Sequence, residues 1–125
     1  MIFSRGEIWT VQFSDPPEGG EQGYRRSSVI VSSDGINALS LDVVIVVPAT
    51  TRRRVNARTG KVPDNLVEVK PTSANGLTQT SYFMCEQVRA VSKNVRMKGK
   101  LGVLAGKDFE RIEQALCLVM DLFPR

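Results

Sequence analysis

The chain has 125 residues, of which 42% are hydrophobic, and it carries a net charge of +4 with no histidine. This length fits a single domain spanning residues 1–125. The apolar content excludes a disordered tail, and the apolar runs are too short to cross a membrane. The first residues lack the pattern of a signal peptide, so we expect a cytoplasmic protein. The positive charge favours a polyanionic partner, either nucleic acid or an acidic protein.

The first half of the chain has the pattern of short β-strands. Side chains of residues 7–13 alternate between two faces, which predicts a strand with Trp9 and Phe13 in the core or in a dimer contact. Residues 28–32 and 42–47 are rich in β-branched side chains and predict two central strands buried on both faces. The turns and loops predicted between and after these strands are 34–37, 51–64, 71–76 and 93–96.

The second half of the chain predicts more strands and then one helix. Strands are expected at 66–70, 81–91 and 101–104. After them, apolar side chains recur three and four positions apart, which places them on one face of a helix that ends at Pro124. These apolar residues are Phe109, Ile112, Leu116, Val119 and Phe123. We therefore expect a mainly β (α+β) fold, a small curled sheet or barrel capped by a C-terminal amphipathic helix.

The loop between the first two predicted strands concentrates groups that suit phosphate chemistry. It offers the carboxylate of Glu21, the amide of Gln22, the ring of Tyr24 and the guanidinium groups of Arg25 and Arg26. Arginine is a poor base because its pKa is above about 12, but its planar fork holds two phosphoryl oxygens at once. Since the chain has no histidine, any acid–base chemistry falls to Glu, Asp, Lys, Arg or Tyr.

A second basic segment lies in the predicted loop 51–64, where Arg52, Arg53 and Arg54 are consecutive. These arginines either contact nucleic acid or keep an exposed loop soluble. Tyr24 is the best candidate for stacking on a base, because it sits in a polar loop.

The two cysteines point to a reducing compartment. Cys85 and Cys117 lie in apolar runs without metal-ligand spacing, which favours buried free thiols over a disulfide or a zinc site. No metal or other cofactor is expected.

Four segments in chain order carry the signatures of a family. They are Arg5-Gly6-Glu7-Ile8-Trp9, then Gly20-Glu21-Gln22 with Arg26 close behind, then Val46-Val47-Pro48-Ala49-Thr50-Thr51, and finally Glu86-Gln87-Val88-Arg89. Together with the terminal helix, this series resembles the MazF/PemK family of type II toxin–antitoxin toxins over nearly the whole chain.

The resemblance implies an SH3-like β-barrel, the fold of the CcdB/PemK plasmid-maintenance toxins. It also implies a homodimer that cuts single-stranded RNA without a metal and is bound by a separate acidic antitoxin. The family's essential arginine falls on Arg26, its essential threonine on Thr50 and its loop glutamate on Glu21. Glu86 occupies the place of an aspartate that matters in the PemK branch, and Ser27 stands where the family usually has proline.

Metal-free RNA cleavage needs a base for the ribose 2′-hydroxyl, a counter-charge for the phosphorane and a proton for the leaving oxygen. We assign Glu21 as the first candidate for the base and Glu86 as the second. Arg26 is assigned as the electrostatic clamp, with a role as proton donor left open, and Thr50 adds a hydroxyl donor. The further RNA contacts expected are Gln22, Tyr24, Arg25, Arg52, Arg53, Glu86 and Gln87.

Two other functions stay open at the level of sequence. A gyrase-binding toxin of the CcdB type would share the fold, but that family relies on a C-terminal Trp-Gly-Ile, and this chain ends in Leu-Phe-Pro-Arg. A catalytically silent SH3-like module held by its antitoxin is the other alternative, and Ser27 is the feature that favours it.

Overall fold

A seven-stranded sheet and one long helix make up most of the computed structural model, which describes residues 2–13 and 24–122. Every strand pairing among these residues is antiparallel. The elements in chain order are β1 (Glu7–Gln12), β2 (Arg25–Ile30), α1 (Asp34–Asn37), β3 (Val43–Thr50), β4 (Leu66–Val69), β5 (Ser81–Met84), a 3-10 turn (Cys85–Gln87), β6 (Arg89–Ser92), α2 (Lys93–Arg96), β7 (Met97–Val103) and α3 (Gly106–Met120).

The longest strand, β3, organises the sheet. The strand order is β4-β5-β3-β2-β1-β7, and β6 pairs with β3 as well. The first half of β3 pairs with β6 and its last two residues, Ala49 and Thr50, pair with β5. The 3-10 turn Cys85–Gln87 lies between these two partners and redirects the chain from one to the other.

The two edges of the sheet, β4 and β7, come together without forming a strand ladder in the described chain. Instead, the Val103 N–H on β7 donates to the Ala74 carbonyl oxygen at 2.9 Å, in the loop that follows β4. The approach is close enough that a Cβ added to Gly102 would lie 2.3 Å from the same oxygen. The predicted α+β fold with a terminal helix is therefore confirmed, but the sheet is not a closed ring of strands.

The sheet buries apolar side chains on both faces. Ile8, Val29 and Val47 belong to a cluster covered by α3, which contributes Ile112 and Ala115. Trp9, Val11, Phe13, Ile30, Val44 and Val46 belong to a second cluster on the opposite face. The alternation along β1 predicted from sequence is confirmed, and Trp9 and Phe13 are core residues.

Helix α3 is shorter than predicted. It begins at Gly106 and ends at Met120, and Asp121 follows in a left-handed conformation with φ 54°. The Asp121 N–H bonds to the last helical carbonyls, as is common at helix C-termini. The helix thus ends before Pro124, while Phe123 and Pro124 lie outside the described residues.

The opening motif, Arg5 to Trp9, holds the fold together. The Oε1 atom of Glu7 accepts hydrogen bonds from the Ser4 N–H and from Trp9 Nε1, both at 3.0 Å. Its Oε2 atom lies 2.9 Å from Lys100 Nζ, which ties β1 to β7. Arg5 reaches the helix, where its Nη2 atom lies 2.8 Å from Glu113 Oε2. These side chains therefore link β1 to neighbouring elements and stabilise the fold.

Five further predicted elements differ from the observed ones. The predicted strand 81–91 is interrupted by the 3-10 turn, and the predicted strand 101–104 is the end of a longer strand, β7. The first half of β3 is buried on only one face, because Val43 and Ile45 are exposed. The predicted turns 34–37 and 93–96 are single-turn helices, each begun by a serine whose side chain accepts a backbone hydrogen bond.

Candidate functional site

The register of β2 and β3 places Arg26 and Thr50 at the same end of the sheet. Ser28 pairs with Pro48, and this is the last pair of the β2–β3 ladder toward that end. Arg26 lies two positions before Ser28, and Thr50 lies two positions after Pro48. In antiparallel strands these steps lead to the same level, and an even step keeps each side chain on its original face. Continued past its last pair, the register therefore places the two predicted residues at the same level and on the same face of the sheet.

Arg26 is a half-buried cation whose guanidinium is only partly satisfied. Its Nε atom is buried and has no hydrogen-bond partner among the described residues. Burial lowers the pKa of Arg26, and the positive charge of Arg54 lowers it further. Arginine nevertheless stays protonated at neutral pH, so Arg26 brings a full charge to the site.

Arg54 shares one feature with Arg26, and the sequence did not distinguish it from Arg52 and Arg53. Its Nε atom is also buried without a hydrogen-bond partner in the described part of the chain. Arg52 and Arg53, which were predicted to contact RNA, are exposed, whereas Arg54 is half-buried. Three consecutive arginines look alike in sequence, so no signal could have distinguished the third one before the loop path was known.

Thr50 connects the sheet to the loop that carries these arginines. It is the last residue of β3 and is only 7% exposed. Its Oγ1 atom accepts a hydrogen bond from the Arg52 N–H at 3.2 Å. Farther along the loop, the side chain of Asn56 accepts from the N–H groups of Arg58 and Thr59 at 2.8 and 3.3 Å. The predicted exposed loop is confirmed, and it contains ordered turns.

A cavity of about 390 Å³ lies between this loop and the 3-10 turn. Arg54, Asn65, Glu86 and Gln87 are among the residues that line it. Glu86 is exposed, and its Oε1 atom accepts a hydrogen bond from Asn65 Nδ2 at 2.8 Å. Glu86 is therefore not the buried structural carboxylate that its apolar neighbours in sequence would allow. The cavity brings together two predicted residues and Arg54.

The remaining predicted residues near β2 are either exposed at the start of this strand or outside the described part of the chain. Tyr24 is 56% exposed with φ 64°, and Arg25 is exposed with its Nε atom donating to Gln12 Oε1 at 3.0 Å. Glu21 and Gln22 lie outside the described residues. Ser27, at the usual proline position, pairs with Thr10 in the β1–β2 ladder, so the strand itself fixes the backbone there.

The described cysteines and acidic residues offer no reactive or metal-binding cluster. Cys85 is buried, and burial, together with the charge of Glu86, raises the pKa of its thiol to about 12. Cys117 is a free thiol that is half-buried, which differs from the full burial predicted. Across residues 2–13 and 24–122, no three Cys, Asp or Glu side chains are grouped to hold a metal ion. No helix in the same ranges is long and apolar enough to cross a membrane.

Comparison with known proteins identifies the family. The model of the PemK-like, MazF-like toxins of type II toxin–antitoxin systems matches residues 4–120. The chain belongs to this family. A relative in Staphylococcus saprophyticus, named endoribonuclease MazF, is 31% identical over 121 residues, which cover 97% of this chain and 93% of the relative.

Solved structures of MazF/PemK-type proteins share the fold. MazF from Deinococcus radiodurans superposes with a TM-score of 0.76 at 17% identity, covering 97% of this chain and 98% of that one. The Mycobacterium tuberculosis toxin MazF-mt6 gives 0.71 at 20% identity, covering 94% and 99%. A mycobacterial endoribonuclease, solved in complex with its cognate antitoxin, gives 0.70 at 19% identity, covering 98% and 97%.

Proposed function

We propose that this MazF/PemK-family toxin is an endoribonuclease that cuts single-stranded RNA at a site built on Arg26 and Thr50. One observation carries the proposal: a half-buried arginine with an unpartnered Nε atom lies at the level of a threonine hydroxyl. A buried donor without a partner is costly unless a ligand satisfies it. A phosphodiester would do so, because its oxygens accept from the guanidinium fork. The name of the Staphylococcus saprophyticus relative supports this activity.

The chemistry follows from the groups available. The ribose 2′-oxygen attacks the adjacent phosphorus, and its proton passes to a base. The bond from phosphorus to the 5′-oxygen then breaks, and this oxygen takes up a proton from Arg26 or from solvent. The products are a 2′,3′-cyclic phosphate and a 5′-hydroxyl. The RNA itself supplies both the nucleophile and the leaving group. Arg26 offsets the negative charge that develops on the phosphorane, and the Thr50 hydroxyl donates to the same oxygens.

Glu21 is the proposed base, and Glu86 is the second candidate. Glu86 is exposed and lines the same cavity as Arg54, so an RNA strand bound at the arginines would pass near it. Tyr24 is exposed beside β2 and is proposed to stack on a base. The other proposed RNA contacts are Gln22, Arg25, Arg52, Arg53 and Gln87.

The proposed partners are an acidic antitoxin and a second copy of the chain. The mycobacterial endoribonuclease, a structural neighbour solved together with its cognate antitoxin, supports the first of these. A net charge of +4 would attract an acidic segment to the groove and to the arginine loop. We place the toxin in the cytoplasm, where RNA and the antitoxin are found.

The test is to incubate the purified chain, free of antitoxin, with a long single-stranded RNA in EDTA and to map the new ends. We expect discrete cuts with 5′-hydroxyl ends. The Arg26→Ala protein should leave the RNA intact while keeping its fold by circular dichroism. Arg58→Ala is the matched control, because it removes the same charge from an exposed loop position.

Two results would contradict the proposal. If Arg26→Ala cut the RNA at the wild-type rate, the site would lie elsewhere. If the folded wild-type protein bound RNA without any cleavage across salt and pH, the chain would be the catalytically silent member of the family considered above. Retention of gyrase in a pull-down would instead support the CcdB-type alternative.

A further inference from the structure

Two arginines of this molecule each bury a side-chain nitrogen that has no hydrogen-bond partner among the described residues. The Nε atoms of Arg26 and Arg54 are the only buried side-chain nitrogens or oxygens without a hydrogen-bond partner among residues 2–13 and 24–122. The two residues come from different elements, β2 and the loop after β3. Burial lowers the pKa of Arg26 most, and the positive charge of Arg54 lowers it further, so Arg54 lies within electrostatic range of Arg26. The path of the chain agrees with this, because Arg54 follows Thr50 by four residues and Arg26 lies at the level of Thr50 in the sheet.

Such an arrangement is unfavourable for the protein alone. Two like charges near each other repel, and partial burial strengthens the repulsion because the local dielectric is low. Each buried N–H also lacks the water that would otherwise satisfy it. A single ligand that carries negative charge and several acceptor oxygens would offset both the repulsion and the missing hydrogen bonds.

A phosphate fits this description better than a carboxylate. Its oxygens point in different directions around phosphorus, so two guanidinium groups from different elements can each bond to one of the two non-bridging oxygens of a phosphodiester. The Thr50 hydroxyl lies at the same level of the sheet as Arg26 and adds a neutral donor to the same side. The cavity that Arg54 lines also carries the Glu86 carboxylate, and it leaves room for a base beside the phosphate.

We propose that Arg54 is a second phosphate-binding residue, which holds one phosphate of the RNA strand together with Arg26. The proposal rests on the proposed nuclease function and extends it. Arg54 itself lines the cavity with Asn65, Glu86 and Gln87, so a phosphate held by Arg54 would place the neighbouring base at this cavity. Arg52 and Arg53 are exposed and are not part of this pair.

The direct test uses the wild-type protein and inorganic phosphate. The Nε–H signals of Arg26 and Arg54, assigned by through-bond experiments on labelled protein, are followed during a phosphate titration. We expect both signals to move along one saturable curve, and acetate at the same ionic strength to leave them in place. Movement of the Arg26 signal alone, or of neither, would overturn the proposal. An equal response to acetate would overturn it in favour of an acidic protein partner.

A second arm measures affinity for a strand that cannot be cut. Single-stranded DNA lacks the 2′-hydroxyl, so its binding to Arg54→Ala and to the matched control Arg58→Ala can be measured at several salt concentrations. We expect Arg54→Ala to weaken binding about tenfold and to flatten the slope of log K against log salt by about 0.7. We expect Arg58→Ala to change neither by as much. Equal effects of the two variants would overturn the proposal.

The two ideas can fail separately. If the wild-type protein did not cut RNA but phosphate still moved both Nε–H signals, the nuclease proposal would fail and the phosphate site would stand. If the protein cut RNA and Arg54→Ala cut it at the wild-type rate with the Arg54 signal unmoved by phosphate, only the role of Arg54 would fail. The titration needs no substitution, so it decides the matter even if Arg54→Ala does not fold.

Discussion

The hydroxyl oxygen of Thr50 accepts a hydrogen bond from the Arg52 N–H at 3.2 Å. Because Thr50 is the last residue of β3, this bond fixes the direction in which the chain leaves the sheet toward Arg54. The hydroxyl hydrogen is left to donate elsewhere, since a hydroxyl is both acceptor and donor. Thr50 thus has a structural role through its oxygen and a proposed chemical role through its hydrogen.

Substitutions at Thr50 test whether its hydroxyl is needed for cleavage. Thr50→Ser keeps the hydroxyl, and we expect near wild-type cleavage. Thr50→Val keeps the shape but removes both the proposed donor and the acceptor for the Arg52 N–H, and we expect the single-turnover rate to fall by about 10²-fold. Thr51→Val is the control, because Thr51 is exposed and has no proposed role. A Thr50→Val protein that cuts at the wild-type rate would remove Thr50 from the site.

The pH dependence of cleavage identifies the base. The chain has no histidine, so an acid limb in the rate must come from a carboxylate that loses its activity on protonation. We expect Glu21→Gln to lower the rate by about 10²–10⁴ and to abolish the limb, and Glu86→Gln to retain it. The reverse result would make Glu86 the base, and a limb that persists in both variants would exclude both carboxylates.

Gly102 tests how tightly the two edges of the sheet are joined. A Cβ at this position would lie 2.3 Å from the backbone oxygen of Ala74, so Gly102→Ala requires the loop to move. We expect the free energy of unfolding to fall by about 3 kcal/mol, measured by urea denaturation. Gly99→Ala on the same strand is the matched control, because nothing lies within 4 Å of its added Cβ. Equal stabilities for the two variants would show that the contact is dispensable.

Glu7 makes stability depend on pH in the acid range. Burial by itself would raise the pKa of Glu7, but hydrogen bonds from Trp9, Lys100 and the Ser4 N–H, and the charge of Lys100, outweigh it and lower the pKa below 4.5. The unfolded chain therefore binds this proton more readily than the folded one. The contribution of Glu7 is present above the pKa of the unfolded glutamate and is lost as pH falls through the lower folded value.

The measurement is the urea midpoint of the wild-type protein and of Glu7→Gln between neutral pH and pH 3. We expect the difference between the two proteins to be largest at neutral pH and to shrink below about pH 4.5, the ordinary value for glutamate. A difference that stays constant with pH would mean that the charge of Glu7 contributes nothing and that only its hydrogen bonds matter.

The strands and the main helix follow from local periodicity, and so they could be predicted. The alternation in β1 and the β-branched residues of β2 and β3 depend only on which faces are buried. Strand β7 was underestimated, because Lys98, Gly99 and Lys100 have low strand propensity and the pairing with β1 overrides it. The break at Cys85–Gln87 could not be seen, since it arises from the need of β5 and β6 to pair with the same strand.

The candidate site was predictable only where residues of the family signature carry it. Arg26 and Thr50 were proposed from the resemblance, and the register of β2 and β3 places them at the same level of the sheet. Arg54 was not distinguished from Arg52 and Arg53, because its burial depends on the path of the loop, which no local pattern encodes. The placement of Glu86 was also not predictable, since the sequence around it is apolar while the 3-10 turn exposes its side chain.

In the 3-10 turn Cys85–Gln87, a residue that the fold requires is followed directly by one whose side chain the fold does not use. Cys85 is fully buried and anchors the turn, whereas Glu86 is exposed and Gln87 half-buried at the wall of the cavity. Exchanges at exposed positions usually change the free energy of unfolding by no more than about 0.5 kcal/mol. The fold therefore tolerates exchanges at position 86. With Glu21 as the base, a library at positions 86 and 87 whose cut sites are mapped would show whether these side chains set the RNA sequence that the toxin prefers.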